Sequence, residues 1–378
     1  MTGAVSCRAC SAPAGDLVLD LGLQPPCDHF PHGGDRRGDP LYPLQMWLCR
    51  SCGLAQLLGE PTTAEEVLGS EPQALVDQAG DAVQRLATSG WLAGHRTVAE
   101  FASPHGGSWL PLLEDRGLTP PSDGRPADLV IDSFGMMHDE DQSAALKARA
   151  SQVAPGGALL LQYHSLQTIM RLGQWNALRH GHFAYYSTTA LARMLEAEGF
   201  GPRAAWSFDL YGGTVLLAAT RDSDGGAVVD PSVTELLEED ARSGVADSAA
   251  VSILQQEAEA HAEGLRQWLL AQHDEGKRVV GYGAASRSVA LLCRAELGRA
   301  LLPAIVDVSP SKHGLRMPGT DIPIMDPSCL KADPPDAVLL FVPDLLDEVR
   351  RAFPEVEDSG GRWVDAETLR PSTYGSAR

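Results

Sequence analysis

The chain has 378 residues, 44% of them hydrophobic and 21% charged, which suits a soluble protein of two or three domains better than a single core. A formal net charge of −20 excludes a nucleic-acid partner, because duplex binding needs a basic face, and implies an acidic, solvated surface. No run approaches the ~18 apolar residues of a membrane span, and Met-Thr-Gly-Ala-Val-Ser-Cys lacks the basic and apolar regions of a signal peptide, so no membrane partner and a cytoplasmic location are expected.

In chain order, the first predicted element is a metal knuckle. Cys7-Arg-Ala-Cys10 and Cys49-Arg-Ser-Cys52 are two C-x2-C pairs, which together supply four thiolates for a tetrahedral zinc ion. Four protein ligands close such a site, so the zinc is structural. A disulfide is the alternative, and a reducing compartment disfavours it. The segment between the pairs carries Pro25, Pro26, Gly33, Gly34 and Gly38 and reads as an irregular excursion, while Cys27, Cys293 and Cys329 read as isolated thiols.

The middle of the chain alternates strands and helices. Thr97 to Phe101 is a short buried strand that enters the turn Ala102 to Gly107 and a helix from about Ser108 to Arg116. Ala127 to Asp132 and Ala158 to Gln162 are further buried strands, with a helix from Gln142 to Gln152 between them and the turn Pro155-Gly156-Gly157 after it. A helix from Thr188 to Glu198 stops at Gly199, and Ser207–Leu210 and Thr214–Thr220 read as paired strands across Gly212-Gly213. Arg221 to Val228, rich in Asp, Gly and Ser, reads as a linker. A long amphipathic helix, Ser252 to His273, precedes a second nucleotide-type unit: the strand and glycine turn Val279 to Ser286, then strands at Pro303–Asp307 and Ala337–Phe341.

These pieces together resemble the nucleotide-sugar C-methyltransferases that build branched deoxysugars. The likeness rests on Cys7-x2-Cys10 followed by Val18 to Pro25, on Leu48 to Leu57, and on Tyr163 to Leu166 followed by His180 to Tyr185. It continues through Gly281 to Ala284, Asp307 to Gly314 and Met317 to Ile324, and so covers nearly the whole chain. The resemblance implies an α/β fold class with an N-terminal zinc-binding module and two Rossmann-like domains, the middle one a shortened methyltransferase fold. The expected limits are 1–65, 66–225 and 226–378. In that family the substrate is a thymidine-diphosphate (TDP) 4-ketosugar, methylated at carbon 3 with S-adenosylmethionine as donor.

A carbon beside a ketone becomes nucleophilic only after losing a proton, which needs a base in reach and a donor at the carbonyl oxygen. The family's Tyr-His-Glu-His-Phe stands here as Arg179-His180-Gly181-His182-Phe183. The resemblance places His182 on the general base and retains His180. Arg179 replaces the tyrosine and suits an enolate or a diphosphate, and His138 is the next candidate. Local packing is the alternative role for any one of these histidines. In the last domain Gly281-x-Gly283, with Arg287 and Lys312, is a candidate diphosphate site, and Tyr211 joins the substrate-binding set.

The methyl-donor turn departs most from the family. Glu-Ile-x-Ser-Asn-Asp-Gly has become Glu100 to Gly106, where Pro104 removes a backbone donor; Glu100, Gly106 and Gly107 remain as cofactor-binding candidates. An acidic residue for the ribose belongs roughly 20 residues after such a turn, yet the chain passes from Leu118 through Thr119 to Gly124 straight to the strand at Leu129, and Asp123 in that turn is a poor ligand. A strand, a helix and another strand are missing. Ser70 to Leu75 replaces an aromatic segment, and Ser133-Phe134 replaces an Asn-Asn pair. S-adenosylmethionine is therefore a doubtful cofactor. The expected function is enolisation of a TDP-ketosugar without methyl transfer, giving epimerisation or isomerisation. A methyltransferase with a reduced cofactor site and a non-catalytic sugar-nucleotide-binding protein are the alternatives.

Overall fold

The computed structural model describes residues 5–35, 38–59, 73–103, 107–222 and 228–370. Three sheets organise them. In the first, β1 (Gly15–Gln24) pairs antiparallel with β2 (Tyr42–Cys49), β2 with β3 (Ala55–Leu57), and β3 with β7 (Ala184–Tyr185), a strand from the middle of the chain. The second contains β4 (Val98–Phe101), β5 (Ala127–Ser133), β6 (Val153–His164), β8 (Phe200–Phe208) and β9 (Thr214–Arg221) in the order β4-β5-β6-β9-β8. The third is parallel throughout: β10 (Val279–Tyr282), β11 (Ile305–Val306), β12 (Ile324–Met325), β13 (Ala337–Leu340) and β14 (Arg362–Asp365), ordered β12-β11-β10-β13-β14.

The buried strands follow from their near-continuous apolar runs, the pattern of parallel sheets covered on both faces. Alternation then divides each run. Leu129, Ile131 and Leu160 pack with Ala82 and Leu86 of the helix Gln73–Thr88, whereas Val130, Leu159 and Leu161 face Leu146, Leu195 and Trp47 of the zinc module.

Several expectations need correction. The segment between the cysteine pairs is not merely irregular, since it holds β1 and most of β2. The strand expected at Ser207–Leu210 begins at Phe200, and Leu210 belongs to a 3-10 turn. Pro155-Gly156-Gly157 lies within β6 rather than before it. The expected linker falls mostly outside the described residues. The strand missing from the middle unit has a structural counterpart: β4 is the sheet's edge among the described residues, and of these only Thr119, bridging Thr97, pairs on its outer side.

A buried ion pair braces the loop after β5. Asp132, 1% exposed, receives Arg149 Nε at 2.6 Å and the backbone N–H groups of Gly135 and Met136 at 2.9 and 3.0 Å. Burial pushes its carboxyl upward, against the pull of Arg149 and those donors. Replacing Arg149 leaves the Asp132 carboxylate buried with two backbone donors and no cation. Arg149→Ala is expected to cost about 3 kcal/mol, seen as a lower urea midpoint for the middle domain; an unchanged midpoint would remove the pair from the stability account.

Candidate active site

A cavity of about 500 Å³ lies between the carboxyl ends of the second and third sheets. Its wall takes in Glu100 and Ser103 after β4, Ser133 and Phe134 at β5, His164 at the end of β6, then Gly283 after β10, Asp307 after β11 and Val342 after β13. That is where α/β sheets bind ligands, and the volume suits a small molecule.

His182 lines this cavity although it is only 7% exposed. Its loop is pinned from several sides. Phe183 N–H donates to the Met137 carbonyl at 2.7 Å, Leu57 N–H to the Phe183 carbonyl at 3.2 Å, and Arg179 N–H to Tyr185 Oη at 3.0 Å. Gly181, in the place of the family's glutamate, has φ +87°, a conformation glycine adopts without strain. Arg179 Nε donates to His182 Nε2 at 2.8 Å, so the imidazole is neutral with that lone pair turned to the guanidinium. His138 meets His182 edge to face at 4.6 Å, and its Nδ1 lies 3.1 Å from the Gly181 carbonyl. His182, Arg179 and His138 are thus brought together. His180 is not: its Nε2 bonds to the Pro43 carbonyl at 3.2 Å, its ring packs on Tyr42, and burial pushes its basicity down. The expectation that it is catalytic is corrected to a brace between this loop and β2.

On the last domain's side of the cavity, Gly283 has φ +92° and no room for a Cβ beside Val342. Gly281 does not reach the cavity. It sits inside β10, where a Cβ would meet Ile305 and Phe341, so its expected ligand role becomes a packing role. Arg287 lies 5.6 Å over the ring of Tyr211, and both line the wall. Lys312 Nζ donates to the Ala284 carbonyl at 2.9 Å and stands 3.5 Å from Asp307, which ties the glycine turn to the exit of β11.

Sequence reasoning missed two wall residues. His164 ends the central strand β6, a position that strand order alone marks as ligand-facing; burial first, then Arg287 and Arg179, push it down to about 3, so it is neutral. Asp28 comes from the zinc module, and its carboxylate accepts from Ser286 Oγ at the start of the helix Ser286–Arg294.

Away from the cavity, Cys7, Cys10, Cys49 and Cys52 gather with their sulfurs within 4.8 Å of one another. Cys7 and Cys52 are 3.5 Å apart, Cys10 and Cys49 3.6 Å. Tetrahedral Zn–S bonds of about 2.3 Å separate ligand sulfurs by about 3.8 Å, so the four fit a structural zinc ion. Among the described residues no helix is long and apolar enough to cross a membrane.

Three family profiles match in tandem: a zinc binding domain over residues 7–66, a methyltransferase domain over 70–204 and a C-methyltransferase C-terminal domain over 209–366. The chain belongs to the C-methyltransferase family. It is 24% identical to the C-methyltransferase NovU of Streptomyces niveus, over 95% of this chain and 94% of that protein. Among solved structures, a SAM-dependent methyltransferase from Thermotoga maritima matches 39% of this chain and 89% of its own at 16% identity, with a TM-score of 0.31. Magnesium protoporphyrin IX methyltransferase from Synechocystis PCC 6803 matches 44% and 90% at 17% identity, with a TM-score of 0.28. At these scores the structural likeness supports no inference.

Membership of this family implies S-adenosylmethionine, and the matches give no support to the expectation that this cofactor is dispensable. The described residues show what an adenosyl group would meet beside β4. With β4 at the sheet edge, no neighbouring strand offers a ribose carboxylate. Glu100 is committed to Ser108 Oγ and to Trp109 N–H at 2.7 Å. Gly107 lines the cavity, while Pro104, His105 and Gly106 lie outside the described residues, as do Ser70, Glu71 and Pro72.

Proposed function

We propose that this chain deprotonates the carbon beside the ketone of a TDP-linked sugar, with His182 as the base and Arg179 as the cation that steadies the enolate. The observation that carries the reading is the Arg179–His182 contact on the wall of a cavity shared with the last domain's glycine turn. The guanidinium turns from His182 Nε2 to the carbonyl oxygen, and the lone pair it leaves takes the C–H proton. The electron pair moves into the new C–C double bond, the carbonyl π pair moves onto oxygen, and the guanidinium follows that charge. Return from His182 after the imidazolium proton has swapped with solvent gives exchange; delivery of a solvent proton to the opposite face gives an epimer. The edge position of β4 favours this outcome over methylation. Gly283, Arg287 and Lys312 belong to the end that would take the diphosphate, with Tyr211 beside them.

A second reading has the family match behind it: the same enolate attacks a methyl donor, as in a C-methyltransferase. The two separate in one experiment. TDP-4-keto-6-deoxyglucose in heavy water is expected to gain deuterium beside the ketone and to gain no methyl group when S-adenosylmethionine is added. A product heavier by one methyl, or micromolar binding of S-adenosylmethionine by calorimetry, establishes the second reading and overturns the first.

A further inference from the structure

The end of the cavity assigned to the diphosphate already holds an anion. Asp28 lines the cavity, and its Oδ1 accepts from Ser286 Oγ at the first turn of the nine-residue helix Ser286–Arg294. Its Oδ2 receives the Cys27 thiol at 3.3 Å. Among the described residues no cation pairs with it. Lys312, the nearest candidate in sequence pattern, is turned to the Ala284 carbonyl and to Asp307 instead. The helix has no side-chain cap of its own: Ala285 precedes it in an extended conformation. A carboxylate from another part of the chain is thus bonded to the side chain of the first residue of this helix, the end whose dipole favours negative charge.

The segment that delivers Asp28 is fixed. Arg316 N–H donates to the Pro31 carbonyl at 2.8 Å, Gly33 N–H donates to Gly314 at 3.1 Å, and Arg316 grips Asp39 through two bonds of 2.6 and 2.7 Å. Cys27 and Phe30, on either side, are buried. These bonds hold the backbone that carries Asp28 against the last domain. We propose that Asp28 is an internal stand-in for the ligand's phosphate, so that a nucleoside diphosphate binds only by displacing this carboxylate from the helix N-terminus. The inference rests on the sugar-nucleotide reading and adds to it a residue that sets how tightly the charged end is held. No bond is made or broken in the exchange of one anion for the other.

The test is calorimetric binding of TDP and of uncharged thymidine to the zinc-loaded full chain and to Asp28→Asn. Asparagine keeps the shape and the bond from Ser286 but carries no charge. Removing one negative charge beside a dianion at a partly exposed site is expected to tighten TDP about tenfold, with the gain shrinking at high salt and thymidine unchanged. Asp28→Ala, which removes charge and hydrogen bond together, is expected to move in the same direction and stands in should the asparagine variant misfold. An unchanged or weaker affinity for TDP in both variants, or an equal gain for thymidine, overturns the proposal. If neither the unsubstituted chain nor the variants bind TDP, the sugar-nucleotide reading falls and takes this one with it. If the unsubstituted chain binds and the variants gain nothing, only the role of Asp28 falls.

Discussion

Replacing His182 by alanine is expected to slow deuterium exchange beside a bound ketone by about 10²–10⁴-fold, the usual contribution of one positioned base. The loss should fall on kcat with little change in KM, because the ring is asked to act on the proton and not to hold the ligand. Binding of TDP should survive, since the diphosphate is assigned to Gly283 and Arg287 and not to His182. The ring's buried neighbours are satisfied largely through backbone: Phe183 N–H to Met137, Leu57 N–H to Phe183, and Arg179 N–H to Tyr185 Oη. The substitution should therefore leave folding and zinc content intact. Arg179→Gln tests the other half of the pair. It removes the cation next to Nε2, so the enolate loses its partner even though the base remains. A His182→Ala protein that exchanges at the normal rate would move the base elsewhere, with His138, 4.6 Å from His182, first in line.

What the sequence made legible follows from which forces are local. The cysteine pairs were readable because metal geometry constrains spacing directly, and the strands β4, β5, β10 and β13 because each is a short apolar run ended by a turn. The short link from Leu118 to Leu129 announced the absent strand, since no chain of that length can supply one. What stayed hidden depends on pairing. The two-residue β7 exists because β3 lies beside it, and β12 is equally short. His180 and His182 looked equivalent as neighbours in one motif, yet Gly181 at φ +87° parts their rings, one toward Pro43 and the other toward the cavity. Gly281 and Gly283 differ in the same way: one is enclosed by Ile305 and Phe341, and the other turns the chain at the strand's end. Asp28 could not be assigned at all, because its partner Ser286 is brought to it only by the docking of the zinc module on the last domain.

Loss of the metal is the second change with a large expected effect. Binding a structural zinc through thiolates is worth about 10 kcal/mol in small zinc domains, and here the ion closes the start of β1 against the end of β2: Cys7 and Cys10 precede the one, while Cys49 ends the other and is fully buried. The Cys52 thiol draws Cys7 down to about 5, whereas the bond to Cys7 and burial push Cys52 up, so four thiolates together need the ion's charge. Without zinc, four sulfurs within 4.8 Å would keep their crowding and lose their bond. Cys49→Ser is therefore expected to leave the chain with less than the full one zinc per molecule and to open β1, β2 and β3 to hydrogen exchange while the β10–β14 sheet stays protected. The damage should reach the cavity. Arg8, between the first two ligands, donates to the Gly59 and Glu140 carbonyls at 2.7 and 3.1 Å and lies 4.8 Å over the ring of Phe183, the residue after His182. β3 also carries β7. Exchange at the sugar carbon should then fall along with the zinc, although no cysteine touches the ligand. A zinc-free protein that kept both its protection in β1–β3 and its catalytic rate would show that the knuckle is an appendage and that the histidine loop is held by the middle domain alone.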